Sequence, residues 1–143
     1  MQLIDFDPDF YNSLPGKDMI EISEKGTYKT IFVDGEKAGI VGFIPSKILD
    51  MAFFQILIDP KFHGQGLTKE AEEMLAREYG ITEMIATIKK GNIASIRAHE
   101  KAGFRYIPES ELKEIREKGL LKNDEIRMNN MAPRRSMEPT RDK

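Results

Sequence analysis

The sequence predicts an α/β domain in which strands and helices alternate along one chain, and three observations carry that reading. Thr27–Val33 and residues 37–44 are rich in β-branched and aromatic residues, alternate in polarity, and flank Asp34-Gly35, a strong two-residue hairpin signal. Residues 52–58 are almost wholly apolar, with Gln55 the one polar side chain, as in a strand buried on both faces. A helix over Leu67–Tyr79 and a strand over residues 83–88 follow. A strand–helix–strand unit of this length makes a parallel, right-handed crossover.

Composition narrows the class. A chain of 143 residues suits one domain with one core. A 40% hydrophobic and 32% charged content is that of an ordinary globular protein. Net charge is −2, so no global basic field draws nucleic acid or a membrane surface, and neither partner is expected. The absence of Cys excludes disulfides, thiolate zinc sites and a Cys nucleophile; no metal is expected. The acidic start lacks a secretory apolar region and no apolar run is long enough to span a bilayer, so a cytoplasmic location is expected. The domain is expected over 1–131, with 132–143 an irregular polar tail holding two prolines.

In chain order, residues 3–6 read as a first strand. Asp7-Pro8 opens a turn or helix that Pro15-Gly16 breaks. After the hairpin, Gly39 and Gly42 in the return strand hint at a bulge or close backbone packing. The helix Leu67–Tyr79 carries Leu67, Ala71, Met74, Leu75 and Tyr79 as one stripe, with Glu70, Glu72, Glu73 and Arg77 expected on a solvated face and Gly80 as its stop. Asn92 is the expected N-cap of a helix over residues 93–102. Gly103 ends that helix, and residues 104–107 form a strand stopped by Pro108. A charged helix over residues 111–118, with Leu112 and Ile115 as its apolar contacts, and a last strand over residues 124–131 complete the domain.

The loop between the apolar strand and its helix reads His63-Gly64-Gln65-Gly66-Leu67-Thr68. The first N–H groups of a helix lack partners and its dipole favours negative charge there, while glycine lets the backbone approach a phosphate. A P-loop needs Lys-Ser or Lys-Thr after its last glycine, and a dinucleotide fingerprint needs three spaced glycines; neither fits. The segment resembles the acyl-CoA loop of the GCN5-related N-acetyltransferase (GNAT) family, Gln/Arg-x-x-Gly-x-Gly/Ala. Gly66 matches, His63 stands for the usual Gln or Arg, and Thr68 for the usual small residue. A second stretch, Asn92-Ile-Ala-Ser95-Ile-Arg97-Ala-His99-Glu-Lys101-Ala-Gly103-Phe104, resembles the family's Asn-x-x-Ser/Ala-x-x-x-Tyr-x-Lys-x-Gly-Phe, at the right distance after the first.

The resemblance implies a mixed, mostly antiparallel sheet of about six to seven strands, helices on both faces, and a splayed central strand pair. It implies acetyl transfer from acetyl-CoA to a primary amine of a small molecule, protein or peptide. By position, His63, Gly64, Gln65, Gly66, Leu67, Thr68 and Lys69 offer backbone N–H groups to the diphosphate. Ile56, Leu57 and Ile58 offer free backbone to the pantetheine arm, with the Ile56 N–H a candidate oxyanion donor, and Asn92 bonds the pantetheine amides. Arg97 and Lys101 can serve the 3′-phosphate, or simply form an exposed basic face. His99 occupies the place of the Tyr that protonates the leaving thiolate, and an imidazole can donate a proton at neutral pH. Some relatives carry a Glu near Ala52; here Gln55 is the polar residue, unable to abstract a proton but able to orient a water. The N-terminal segment has little room for the family's two helices, so the acceptor side is expected to be open or completed by a second subunit in a homodimer. A CoA-binding module without turnover is the competing expectation.

Overall fold

A computed structural model describes residues 1–131; the expected tail at 132–143 lies outside the described residues. The sheet has seven strands: β1 Gln2–Asp5, β2 Thr27–Val33, β3 Glu36–Pro45, β4 Met51–Ile58, β5 Glu83–Lys89, β6 Arg105–Tyr106 and β7 Glu125–Asn129. Their spatial order is β1-β2-β3-β4-β5-β7-β6, and every pairing is antiparallel except β4 with β5. The helices are α1 Pro8–Ser13, α2 Leu67–Tyr79, α3 Ile93–Lys101 and α4 Glu109–Glu117. No helix among the described residues is long and apolar enough to cross a membrane.

Strand alternation divides the sheet into two faces. Ala52, Phe54 and Ile56 of β4 pack with Ala86 and Ile88 of β5, Met128 of β7, and Leu67, Ala71, Leu75 and Ala76 of α2. Burying a large aliphatic or aromatic side chain here stabilises by roughly 1.5–3 kcal/mol. On the opposite face, Ile40 and Leu57 pack with Leu14, Ile20 and the partly buried Phe6, Phe10 and Tyr28. Both faces of β4 are therefore covered, as its apolar sequence requires.

The glycines of β3 set how closely the central strands lie. A Cβ on Gly39 would stand 2.4 Å from the Leu57 carbonyl oxygen, so β4 crosses β3 at a distance only glycine tolerates. Gly42 sits in register between Tyr28 and Gln55, and its bare backbone lets the Tyr28 ring cross over β3 to the Gln55 side chain. The expected bulge is present: Ile31 faces Gly39 but Phe32 faces Lys37, which leaves Ala38 unmatched.

Four expectations need correction. Glu72 is wholly buried rather than solvated, because the buried face of α2 holds Leu67, Thr68, Ala71, Glu72, Leu75 and Ala76, one residue wider round the helix than the stripe read in the sequence. Tyr79, placed on that stripe, is 46% exposed. The strand after Gly103 shrinks to Arg105–Tyr106, because β7 is its sole partner at the sheet edge. α4 starts at Glu109, directly after Pro108, whose fixed φ suits a helix entry.

Candidate functional site

The site begins where two neighbouring strands separate. β4 and β5 pair from Met51 with Glu83 to Phe54 with Ala86, and no further. β4 runs on to Ile58 against β3, and β5 runs on to Lys89 against β7. Each strand keeps its outer partner, so the inner edge of residues 55–58 is left without a sheet neighbour. Beside it opens a cleft of about 570 Å³ with Ile56, Leu57 and Ile58 on one wall and Asn92, Ser95, Ala98 and Lys101 on the other.

The segment His63–Lys69 closes one end of this cleft. Gly66 adopts φ 74° as the N-cap of α2, a conformation L-residues rarely hold. The backbone N–H groups of residues 64–69 donate to no other group among the described residues, and those of Leu67, Thr68 and Lys69 form the open first turn of α2. The His63 ring folds back, its Nε2–H donating to the Ile58 carbonyl at 3.0 Å; a carbonyl only accepts, so that nitrogen carries the proton. Thr68 is buried against the cleft, while Lys69 pairs with Glu73 at 2.9 Å. Arg97 and Lys101 line the cleft, are exposed, and pair with no carboxylate among the described residues. The Asn92 side-chain Oδ1 accepts the Ser95 N–H at 3.3 Å as the N-cap of α3, and its Nδ2 makes no bond among the described residues.

His99 lies elsewhere. It is 1% exposed and packs edge-on against Phe104, with ring centroids 4.9 Å apart. Its Nδ1–H donates to the Ser95 carbonyl at 2.7 Å, and Nε2 meets the Glu72 Oε2 at 2.8 Å, which ties α3 to α2. Burial alone would lower the pKa of His99. The Glu72 charge and hydrogen bond, helped by the Ser95 carbonyl, outweigh it and raise the pKa. Both ring nitrogens are therefore engaged inside the protein, and the ring does not face the cleft, which corrects the expectation of a proton donor aimed at a thiolate. Gln55 is likewise committed: its Oε1 accepts the Tyr28 hydroxyl at 2.5 Å, and its Nε2 donates to the Glu21 carbonyl at 2.8 Å. It braces β4 against the N-terminal segment instead of holding a free water.

Three comparisons bear on this geometry. The family model for the acetyltransferase (GNAT) domain matches residues 11–105. This chain belongs to the GNAT acetyltransferase family. Over 77 residues, this GNAT domain is 36% identical to the spermidine N(1)-acetyltransferase of Escherichia coli K12, covering 50% of the chain and 41% of that relative. The chain thus spans about two fifths of the length of the curated relatives it matches. Among solved structures, the GNAT domain of S. lividans PAT aligns with TM-score 0.59 at 16% identity, covering 90% of this chain and 87% of that one. The Campylobacter jejuni N-acetyltransferase PseH in complex with acetyl coenzyme A aligns with TM-score 0.54 at 15% identity, over 75% and 68%. At these identities the structural likeness bears on the fold. The splayed pair and mixed sheet are those of the family. Sequence reasoning missed Pro15, Gly16 and Met19, which complete the cleft from the N-terminal segment, and Glu72. The signal for Glu72 was its spacing: it falls four residues after Thr68 and three before Leu75.

Proposed function

We propose that this GNAT domain transfers an acetyl group from acetyl-CoA to a primary amine of a small molecule or of a protein. The observation that supports this best is the separation of β4 from β5 after Phe54 and Ala86, which leaves a lined cleft ending in unbonded helix N-terminal amides.

The residues suit the co-substrate part by part. Amides 64–69 and the α2 dipole accept a diphosphate, the exposed Arg97 and Lys101 accept a further phosphate, and the free edge of residues 55–58 accepts an amide-bearing arm. When bound, acetyl-CoA supplies an activated acetyl thioester. The Ile56 N–H is our candidate for holding the thioester oxygen as charge develops on it. Asn92 offers its free amide nitrogen to the arm. His99 acts in this scheme by fixing α3 against α2, and Gln55 by fixing β4 against the segment around Glu21. No carboxylate among the described residues lines the cleft, so in this scheme the amine gives up its proton to water or arrives neutral. A cytoplasmic setting and a homodimer that completes the acceptor side belong to the same proposal; light scattering in solution tests the dimer.

Incubation with labelled acetyl-CoA and pools of amines and peptides should yield acetylated product. A second reading, a CoA-binding module without turnover, is favoured by the burial of His99 and the lack of a cleft carboxylate among the described residues. Calorimetric CoA binding with no product from any acceptor pool would establish that reading and defeat the first.

A further inference from the structure

Where β4 and β5 part, the sheet face turned away from α2 carries a cluster that the cleft does not use. Phe53 and Gln55 of β4, Thr87 of β5 and Arg127 of β7 share that face by strand alternation and register. The Arg127 guanidinium carbon stands 4.6 Å over the Phe53 ring. Its Nε donates to Thr87 Oγ1 and its Nη2 to the Leu120 carbonyl, both at 3.3 Å, and Nη1 has no bond among the described residues. Both acceptors are neutral and both bonds are long.

Of the carboxylates around this cluster two pair with lysines, and the third, Glu125, makes no direct contact with Arg127. Glu125, on the same face of β7, accepts the Lys122 N–H at 3.1 Å. Glu21 takes the Lys122 ammonium at 2.7 Å, and Asp124 takes Lys89 at 3.5 Å. None of them pairs with Arg127. Burial depresses the Arg127 pKa, opposed only by the Glu125 charge. A half-buried guanidinium that makes no direct ion pair among the described residues is incompletely satisfied in the free protein, and its fork matches a carboxylate with two parallel bonds.

The location is equally specific. Thr87 is the first residue of β5 on this face beyond the last β4 pair, and Gln55 is its counterpart on β4, one residue before Ile56. Arg127 therefore stands at the mouth of the split, on the side opposite the face that α2 covers.

We propose that Arg127 is a specificity-determining residue for the acceptor, receiving a carboxylate that the acceptor carries near its reacting amine. The preferred acceptors are then amino acids or peptides bearing such a carboxylate, and polycationic amines are repelled. The proposal rests on the acetyltransferase reading above.

The test compares acceptors that differ in one group: amino acids against their carboxamides, with spermidine as a polycation. Wild-type protein should favour the acids by about tenfold or more in kcat/KM, the worth of a charge-assisted pair. R127Q should abolish that preference through KM, R127K should keep part of it, and calorimetric CoA affinity should not move with either. Equal use of acid and amide, or a preference for spermidine, by wild-type protein overturns the proposal while leaving acetyl transfer intact, and needs no variant. If no acceptor is acetylated, N-acetylglycine is titrated into CoA-saturated protein and the arginine side-chain NMR signals are followed. Saturable perturbation that R127Q removes sustains the carboxylate site; no perturbation overturns it.

Discussion

At the scale of single residues, the His99–Glu72 pair is the one ion pair among the described residues with both side chains buried. Both groups are essentially buried, and Glu72 Oε1 has no hydrogen-bond partner. Removing one member leaves the other as an unpaired buried charge, so His99→Ala is expected to lose about 3–5 kcal/mol of stability, measured by urea unfolding. Replacing both with leucine should recover most of that loss, because the desolvation penalty disappears with the charges. pH dependence follows from the raised pKa of His99. A histidine whose folded pKa lies above its unfolded value of about 6.5 contributes fully below that value, and its contribution is lost as pH rises through the folded pKa. Melting temperature should therefore fall over that rise in wild-type protein. In the double-leucine variant the histidine part of the fall should vanish. An unchanged profile in that variant would show that the pair is not its source.

At the scale of elements, two glycines place the chemistry. Gly39 lets β4 lie against β3 with the Leu57 carbonyl where a Cβ would fall. Gly39→Ala forces β4 outward and should lose about 1–3 kcal/mol as overpacking does, with weaker CoA binding because residues 55–58 shift. Gly66 starts α2 from the left-handed region, and a Cβ there meets no protein atom. Gly66→Ala should therefore cost about 1–2 kcal/mol of stability from the backbone alone. CoA affinity should drop further, since the methyl stands at the amides proposed to hold the diphosphate. Calorimetry beside thermal melts separates the two effects. The bounds of α2 and the N-cap at Asn92 were legible from the sequence, because propensity, capping and stop residues are local. The partner of Glu72 was not, because it lies 27 residues away on α3.

At the scale of the whole molecule, the net charge is −2, yet among the described residues the cleft is lined by Lys69, Arg97 and Lys101 and by no carboxylate. Attraction for an anionic co-substrate is thus local. Arg97→Gln and Lys101→Gln should each weaken CoA binding about two- to fivefold, the worth of exposed charge pairs. Both effects should fade at an ionic strength of about 1 M, where the screening length is about 3 Å. Absence of any change at low salt would return both residues to a plain solvated face.

The order of strands and helices, the parallel crossover and the glycine loop that opens α2 were settled by local pattern: periodicity, glycine placement and helix ends act over a few residues, and the chain carries them openly. Where His99 points, what Gln55 grips and which charge Arg127 lacks were settled only by folding. Each depends on groups brought from distant parts of the chain, and burial, not residue type, decides whether such a group catalyses, braces or waits for a ligand.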